Sequence, residues 1–165
     1  MEQTAEKSLE ERITRLEDIE SIKQLKARYC EICDDDHNPQ EITTIFSEDG
    51  IWDGGGIGVA EGHAAISALF TTFAERISFS QHMVMNPIIE VNGDTATARW
   101  YFFGPFTIRT GKGKEARQAM WQSTRYVDDY VKQQGVWKYK HLRVRGRGIQ
   151  ANYETGWAHS ENKPR

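Results

Sequence analysis

The sequence predicts an α+β domain in which a cone-shaped, curved antiparallel or mixed sheet wraps around three N-terminal helices. Two observations predict this class. Apolar residues recur with a helical period before Phe79 and alternate after it, and two hairpin signals divide the alternating region. A chain of 165 residues with 38% hydrophobic content has the length of one domain. We predict a single domain over residues 1–165, with a core at about residues 10–150 and a polar C-terminal tail.

Two amphipathic helices are indicated by apolar residues spaced three or four positions apart. The long first helix carries its apolar stripe at Ile13, Leu16, Ile19, Ile22, Leu25, Tyr29 and Ile32. The later helix carries Ala65, Ile66, Leu69, Phe70 and Phe73.

A short helix and a strand are predicted between these two helices. Asn38-Pro39 is typical of an N-cap followed by proline at the first helical position. The helix is expected to run through Ile42, Ile45 and Phe46 and to stop at Asp49-Gly50. A strand around Ile51 and Trp52 then leads into the glycine-rich segment "DGGGIGVAEG".

The alternating region predicts two hairpins. The runs "FSQHMVMNPIIEV" and "TATARWYFFGPFTI" are joined across Asn92-Gly93, a strong signal for a tight turn. After a further turn in "TGKGKE", the runs "ARQAMWQSTRYVDDYV" and "VWKYKHLRVRGRG" are joined across Gln-Gln-Gly. A polar tail is expected after Trp157.

Charge and hydropathy exclude several classes of partner. The 21 Lys and Arg against 24 Asp and Glu give a net charge of -3, which argues against binding to nucleic acid. No apolar run approaches the roughly 20 residues that span a bilayer, so we expect no membrane segment. The polar, acidic start "MEQTAEKSLEERI" lacks the basic cap and apolar run of a signal peptide, which predicts a cytoplasmic protein.

Cys30 and Cys33 have CxxC spacing, which can indicate redox chemistry or half of a zinc site. No glycine or proline lies between them and there is no second pair. We therefore favour structural thiols. His37, His63, His141 and His159 show no metal-ligand spacing with one another, so we expect no metal.

The first helix ends in the triple acid of "YCEICDDDH". Helical spacing places Asp34 beside the apolar stripe, four residues after Cys30, whereas Asp35 and Asp36 rotate away from it. A solvated helix end is the simpler interpretation, although acids at a C-terminus oppose the helix dipole. Asp34 is the candidate for an inward carboxylate.

His82 is a second titratable residue in an apolar setting. Strand alternation places it on the same face as Ser80, Val84 and Asn86. A histidine with a carboxylate partner is a common general base. A core histidine bonded to a backbone carbonyl is an equally good interpretation of the residue by itself.

A pocket is expected between the inner face of the sheet and the end of the first helix. The candidates for substrate binding are Trp52, Asn86, Trp100, Phe102, Met120 and Arg125. Aromatic and sulfur-bearing side chains suit a flat, ring-shaped ligand, but they also suit an ordinary core or a subunit interface. Arg125 can bind a substrate carbonyl or form an outward ion pair.

Several segments resemble one protein family. "IESIKQLKARYCEICDDD", "FSEDGIWD", "GIGVAEG", "QHMVMNPIIEVNGDTATARWYF" and "GVWKYKHLRVR" are similar to the SnoaL-like branch of the nuclear transport factor 2-like superfamily, over roughly residues 10–150. Within that branch the sequence resembles bile-acid 7α-dehydratase, scytalone dehydratase and hexachlorocyclohexane dehydrochlorinase. All three are lyases that use no cofactor.

The resemblance implies a catalytic role for three residues. The Asp-His dyad of those lyases falls on Asp34 and His82, and their phenol falls on Tyr29. His82 would act as the general base, Asp34 would orient it, and Tyr29 would donate a hydrogen bond to a developing oxyanion or leaving hydroxyl. No cofactor is implied.

Three functional classes follow from this resemblance. We prefer a lyase or isomerase acting on a hydrophobic cyclic small molecule. The alternatives are a polyketide cyclase, which would use the same base, and a non-catalytic binding module or small subunit of a ring-hydroxylating oxygenase.

A homo-oligomer is the expected assembly, with a trimer favoured over a dimer by the resemblance. Sheets of this family pack face to face. We also expect more outward aromatic residues than a solvated sheet needs, at Trp121, Tyr126, Tyr130, Trp137 and Tyr139.

Overall fold

The computed structural model describes residues 8–110 and 117–145. The helices are α1 (Leu9–Asp34), α2 (Glu41–Thr44) and α3 (Gly62–Arg76), with a 3-10 turn at Gly55–Ile57. The strands are β1 (Phe46–Asp53), β2 (Val59–Glu61), β3 (Ile77–Ser80), β4 (Met83–Asn92), β5 (Thr95–Arg109), β6 (Arg117–Gln133) and β7 (Val136–Arg145).

The strands form one sheet in the order β2-β1-β7-β6-β5-β3, and β4 also pairs with β5. The pairing of β1 with β7 is parallel, whereas the other strand pairs are antiparallel. The sheet curls into a half-barrel with the N-terminal helices packed against it. The α+β class predicted from the sequence is confirmed.

Both predicted hairpins are present. Strands β4 and β5 meet at a tight turn in which Gly93 has φ +58°, and β6 and β7 meet at Gln134 and Gly135 with φ +50° and +79°. Positive φ at these positions matches the right-handed twist of the flanking strands. The turn predicted in "TGKGKE" and the tail predicted after Trp157 lie outside the described residues.

Helix α1 begins at a capping box, in which the Ser8 side chain accepts from the Glu11 backbone and Glu11 accepts from the Ser8 backbone. Its buried face differs from the predicted stripe, because Ile13 and Leu16 are 47% and 65% exposed. The buried residues are Asp18, Ile22, Lys26, Tyr29, Cys30, Ile32 and Cys33. The two charged residues of this face, Asp18 and Lys26, can be buried because each has a polar partner across the core. Asp18 accepts from Trp137, and the partner of Lys26 is described below.

Helix α2 is shorter than predicted. The Asn38 side chain accepts from the backbone N–H groups of Gln40 and Glu41, both at 3.1 Å. The helix nevertheless begins at Glu41 with Gln40 at its N-cap, two residues later than predicted. The predicted extension of this helix to Asp49-Gly50 is wrong, since α2 ends at Thr44 and β1 begins at Phe46. The backbone of Tyr139 donates to the Ile45 carbonyl at 2.9 Å. Pairing with β7 therefore overrides the helical period here.

Four aromatic residues predicted to face outward are buried instead. Tyr126, Tyr130, Trp137 and Tyr139 are each at most 4% exposed, so the predicted outward orientation is wrong for them. Trp137 donates to Asp18 at 2.8 Å, and Tyr139 stacks on Phe46 with ring centroids 5.1 Å apart. The fifth, Trp121, stacks on Phe103 at 5.1 Å.

Among the described helices, none combines the length and the apolar character needed to cross a bilayer.

Candidate active site

Asp34 and His82 form a direct pair. Asp34 is the last residue of α1, and its Oδ1 lies 2.6 Å from His82 Nδ1. Both carboxylate oxygens also accept from the His82 backbone N–H, at 3.0 and 2.9 Å. The carboxylate therefore fixes the position of the ring and favours the tautomer in which Nδ1 donates to it. The other ring nitrogen, Nε2, is left free for chemistry.

His82 lies in a short break between β3 and β4. Strand β5 pairs with β3 at Phe106 and with β4 at Phe103, so the chain must leave the sheet between these points. The Gln81 backbone N–H donates to the Pro105 carbonyl at 3.2 Å. Gly104 lies against the Gln81 carbonyl, where a Cβ would collide with it. A glycine at this position allows the close backbone approach that turns His82 toward α1.

A cavity of about 330 Å³ that is partly open to the surface lies on the inner side of His82. It is the more enclosed of two cavities beside this residue, and we call it the enclosed cavity. Its walls are mainly aromatic and include Tyr29, His37, Trp52, Phe70, Phe73, Phe102, Phe106 and Tyr126. A more open surface depression of about 700 Å³ lies on the other side, beside Asp34, Asp35 and Met83. The enclosed cavity is the better substrate site, because its walls surround a ligand more completely and shield polar contacts from water.

Tyr29 lines the cavity and is 2% exposed. Its hydroxyl accepts from Trp52 Nε1 at 3.0 Å, and its ring meets the His82 ring edge-on at 6.3 Å. Burial raises the pKa of the phenol well above its usual value, so the hydroxyl keeps its proton. Tyr29 and Asp34 are about 140° apart around the axis of an ideal helix. Both still contact His82, because the break between β3 and β4 passes over the end of α1.

His37 is a cavity residue that the sequence reasoning missed. It follows Asp36 in a turn where both residues have positive φ, +51° and +55°, and its ring is 4% exposed. The ring packs on Phe70 and Phe73 and lies 6.1 Å from the His82 ring. Burial, with a smaller effect of His82, lowers the pKa of His37 to about 4. No periodic signal in the sequence indicates it, because the helix ends at Asp34 and the chain turns before His37.

Four predicted binding residues do not line the enclosed cavity. Trp100 is buried and donates to the Tyr130 hydroxyl at 3.3 Å. Met120 is half-buried and its Sδ accepts from Gln122. Arg125 lies over the outer Tyr101 ring at 4.8 Å, and Asn86 is exposed at a bulge with φ +52°. Of the predicted set, Trp52 and Phe102 line the cavity.

A buried ion pair lies one layer behind the cavity. Lys26 Nζ is 3.0 Å from Asp128 Oδ2, and both side chains are fully buried. Lys26 also lies 3.3 Å from the centroid of the Tyr126 ring, and Tyr130 donates to Asp128 at 3.0 Å. Burial lowers the pKa of Lys26 and raises that of Asp128, while their mutual attraction opposes both shifts. The sequence reasoning did not identify this pair.

A sulfur and two imidazole rings meet at the polar end of the cavity. The potential ligand atoms of Cys33, His37 and His82 all lie within 4.8 Å of one another. Cys30 and Cys33 are free thiols and both are buried. Burial raises the pKa of each thiol, which keeps them protonated in the absence of a cation.

The fold and this site define a family. The SnoaL-like domain matches residues 14–143, and the chain belongs to this family. The resemblance noted in the sequence is therefore confirmed.

Solved structures from two Novosphingobium species have the same fold. A Novosphingobium aromaticivorans protein provisionally named an aromatic ring hydroxylase is 26% identical, with a TM-score of 0.70 over 78% of this chain and 88% of that one. A provisionally named scytalone dehydratase from the same organism is 22% identical, with a TM-score of 0.70 over 80% and 85%. Hexachlorocyclohexane dehydrochlorinase LinA-type3 from Novosphingobium barchaimii is 21% identical, with a TM-score of 0.70 over 81% and 88%.

Proposed function

We propose that this protein is a cofactor-free lyase that eliminates water, or another small leaving group, from a hydrophobic cyclic substrate. The observation that carries the proposal is the 2.6 Å contact between Asp34 and His82 at the wall of an enclosed aromatic cavity. Neighbours of the same fold whose names include dehydratase and dehydrochlorinase support this class of reaction.

The reaction starts when His82 Nε2 takes a proton from a carbon next to a carbonyl. The C–H electron pair forms the new C=C bond as the leaving hydroxyl departs with its own bonding pair. The proton held by His82 passes to that hydroxyl, so that water leaves and the base is regenerated. Asp34 stabilises the imidazolium between these steps, and the Tyr29 hydroxyl donates to the developing oxyanion.

The size of the cavity sets the substrate class. A volume of about 330 Å³ is near the lower limit of pockets that hold drug-sized ligands. One or two fused rings fit this volume better than a four-ring sterol. Gln122 is a polar side chain on the cavity wall and is a candidate partner for a ring substituent.

The other functions differ in how they use this site. A polyketide cyclase would use the same base but would direct the carbanion to a second carbonyl of the substrate. A small subunit of a ring-hydroxylating oxygenase would need no base, so a paired His82 facing an enclosed cavity favours the enzyme.

Substitutions in the dyad test the proposal. We expect His82→Ala to abolish dehydration of a cyclic β-hydroxy ketone, followed by the absorbance of the enone product. Asp34→Asn should lower the rate by orders of magnitude, because an amide can accept from the His82 backbone but cannot stabilise imidazolium. Asp36→Asn is the matched control, since Asp36 is exposed and asparagine tolerates its positive φ.

Thermal melting of the same variants separates a catalytic dyad from a structural one. The proposal requires large losses of rate with melting temperatures close to that of Asp36→Asn. Unchanged turnover in His82→Ala together with a lower melting temperature would show that the pair serves the fold alone.

A further inference from the structure

The polar end of the cavity holds a set of side chains that the lyase chemistry does not use together. Cys33 and His37 are 1% and 4% exposed, and the His82 side chain is 6% exposed. All three line the enclosed cavity. Within residues 8–110 and 117–145, the His37 ring makes contacts with other rings but no hydrogen bond. The His37 ring lines the cavity, so its nitrogen atoms are available to a ligand there.

We propose that Cys33, His37 and His82 form a binding site for Zn²⁺ or a similar borderline divalent cation, with a fourth coordination position open to the cavity. One thiolate and two imidazoles are a ligand set that suits this class of ion. Carboxylate-preferring ions such as Mg²⁺ and Ca²⁺ do not fit it.

The geometry requires only a small adjustment. Zinc–nitrogen and zinc–sulfur bonds of about 2.0–2.3 Å place tetrahedral ligand atoms roughly 3.4–3.6 Å apart. The three ligand atoms already lie within 4.8 Å of one another. Side-chain rotations that move each ligand atom by a fraction of an ångström to about 1 Å bring the three atoms to the distances of a zinc site. The open space for the ion and its fourth ligand is the cavity itself.

The surroundings also match a metal site. Asp34 holds His82 Nδ1 at 2.6 Å, which leaves Nε2 to face the ion. This carboxylate–histidine–metal arrangement is the usual outer shell of a zinc ligand. On binding, Cys33 releases its thiol proton to solvent. The two positive charges of the ion are then balanced by the Cys33 thiolate and the Asp34 carboxylate, so the buried site carries no net charge.

The two uses of His82 exclude each other. An ion on Nε2 removes the free base that the proposed elimination needs, so a bound cation inhibits that reaction. The binding test below requires no substrate. Its outcome is therefore independent of whether the lyase proposal holds.

Titration of the full chain with Zn²⁺, by isothermal calorimetry under metal-free reducing conditions, tests the site. We expect one ion per chain with micromolar or tighter affinity. Cys33→Ser and His37→Phe should each weaken binding by more than the roughly 10–100-fold that loss of an outer-shell partner costs. Cys30→Ser is the matched control, because Cys30 is also buried, lies one turn away and does not belong to the cluster. It should bind zinc like the unmodified protein.

Cobalt gives a second measurement. Co²⁺ in the site should produce a thiolate-to-cobalt charge-transfer band that persists in Cys30→Ser and disappears in Cys33→Ser. Circular dichroism checks that each variant is folded. If Cys33→Ser does not fold, His37→Phe decides the question, because a phenyl ring retains the packing on Phe70 and Phe73 without a ligand atom. Absence of binding by the unmodified chain overturns the proposal, as does equal affinity in the folded ligand variants.

Discussion

Gly104 packs against Gln81 so closely that a methyl group on residue 104 would collide with the Gln81 carbonyl oxygen. This contact lets the backbone of residues 81 and 82 run close beside β5 at the point where β3 ends and β4 begins. The position of His82 therefore depends on a residue that has no side chain.

Gly104→Ala should consequently damage both the fold and the site. The new Cβ must push the Gln81 carbonyl away, at a cost of about 1–3 kcal/mol typical of overpacking. We expect a lower melting temperature and a loss of turnover. Gly56→Ala is a control for stability, because a Cβ there meets nothing within 4 Å. Equal melting temperatures for the two variants would contradict this account of Gly104.

Tyr29→Phe should have a moderate effect on rate. Loss of one oxyanion donor typically costs about a hundredfold in turnover number. The variant also leaves Trp52 Nε1 without its acceptor at 3.0 Å, which should lower stability by about 1–3 kcal/mol. Steady-state kinetics and thermal melting measure the two effects separately. A drop in affinity without a drop in turnover number would assign Tyr29 to substrate binding instead.

The Lys26–Asp128 pair should be strongly non-additive. Lys26→Met leaves a buried carboxylate without its cation, and we expect a loss of about 3–5 kcal/mol in the free energy of unfolding. Adding Asp128→Asn should recover part of this loss, since the unpaired charge is removed. Urea denaturation of both single variants and the double variant gives the coupling energy. Simple additivity would show that the pair contributes no specific interaction.

The cavity can be tested by two leucine substitutions. Phe102→Leu should weaken binding of a cyclic ketone, because Phe102 lines the cavity and lies 5.0 Å from His82 between ring centroids. Met120→Leu should not, because Met120 lies outside the cavity lining. Quenching of tryptophan fluorescence measures binding, since Trp52 is part of the wall. The reverse pattern would place the substrate elsewhere on the sheet.

A homo-oligomer remains a prediction, with a trimer preferred. Four of the aromatic residues on which it was based are buried, but other apolar side chains are exposed on the outer face of β4 and β5. They include Met85, Ile88 and Tyr101, at 42%, 53% and 48% exposure. Light scattering at micromolar concentration should return a multiple of 19.0 kDa. The mass of a single chain would rule out stable assembly.

Most of the fold was predicted from local sequence signals, because helices, strands and tight turns are largely determined by residues close together in the sequence. The period of apolar residues located α1, α3 and the long strands, and Gly93 and Gly135 marked the two turns. Helix α2 was overestimated because the pairing of Phe46 with Tyr139 joins residues far apart in sequence. The ion pair of Lys26 and Asp128 was not predicted for the same reason, because its two residues are also far apart in sequence. Each one by itself is typical of a solvated charge.

The candidate site was predicted in part, for a related reason. The resemblance supplied Asp34, His82 and Tyr29, and the structure places Asp34 and Tyr29 beside the His82 ring. Binding residues chosen by strand alternation were less accurate. Alternation identifies the face of Trp100 and Phe102 correctly, yet it does not show how far along the strand the cavity extends. His37 depends on two left-handed residues that no periodicity reveals.

The burial of both thiols at the end of α1 gives the chain an internal reporter of local opening. Cys30 and Cys33 are 7% and 1% exposed, so an alkylating reagent reaches either thiol only when the side chains that cover it move apart. The rate of Cys33 labelling therefore measures how often the site opens by itself. Because Cys33 also lines the cavity, a ligand that fills the cavity should slow this labelling.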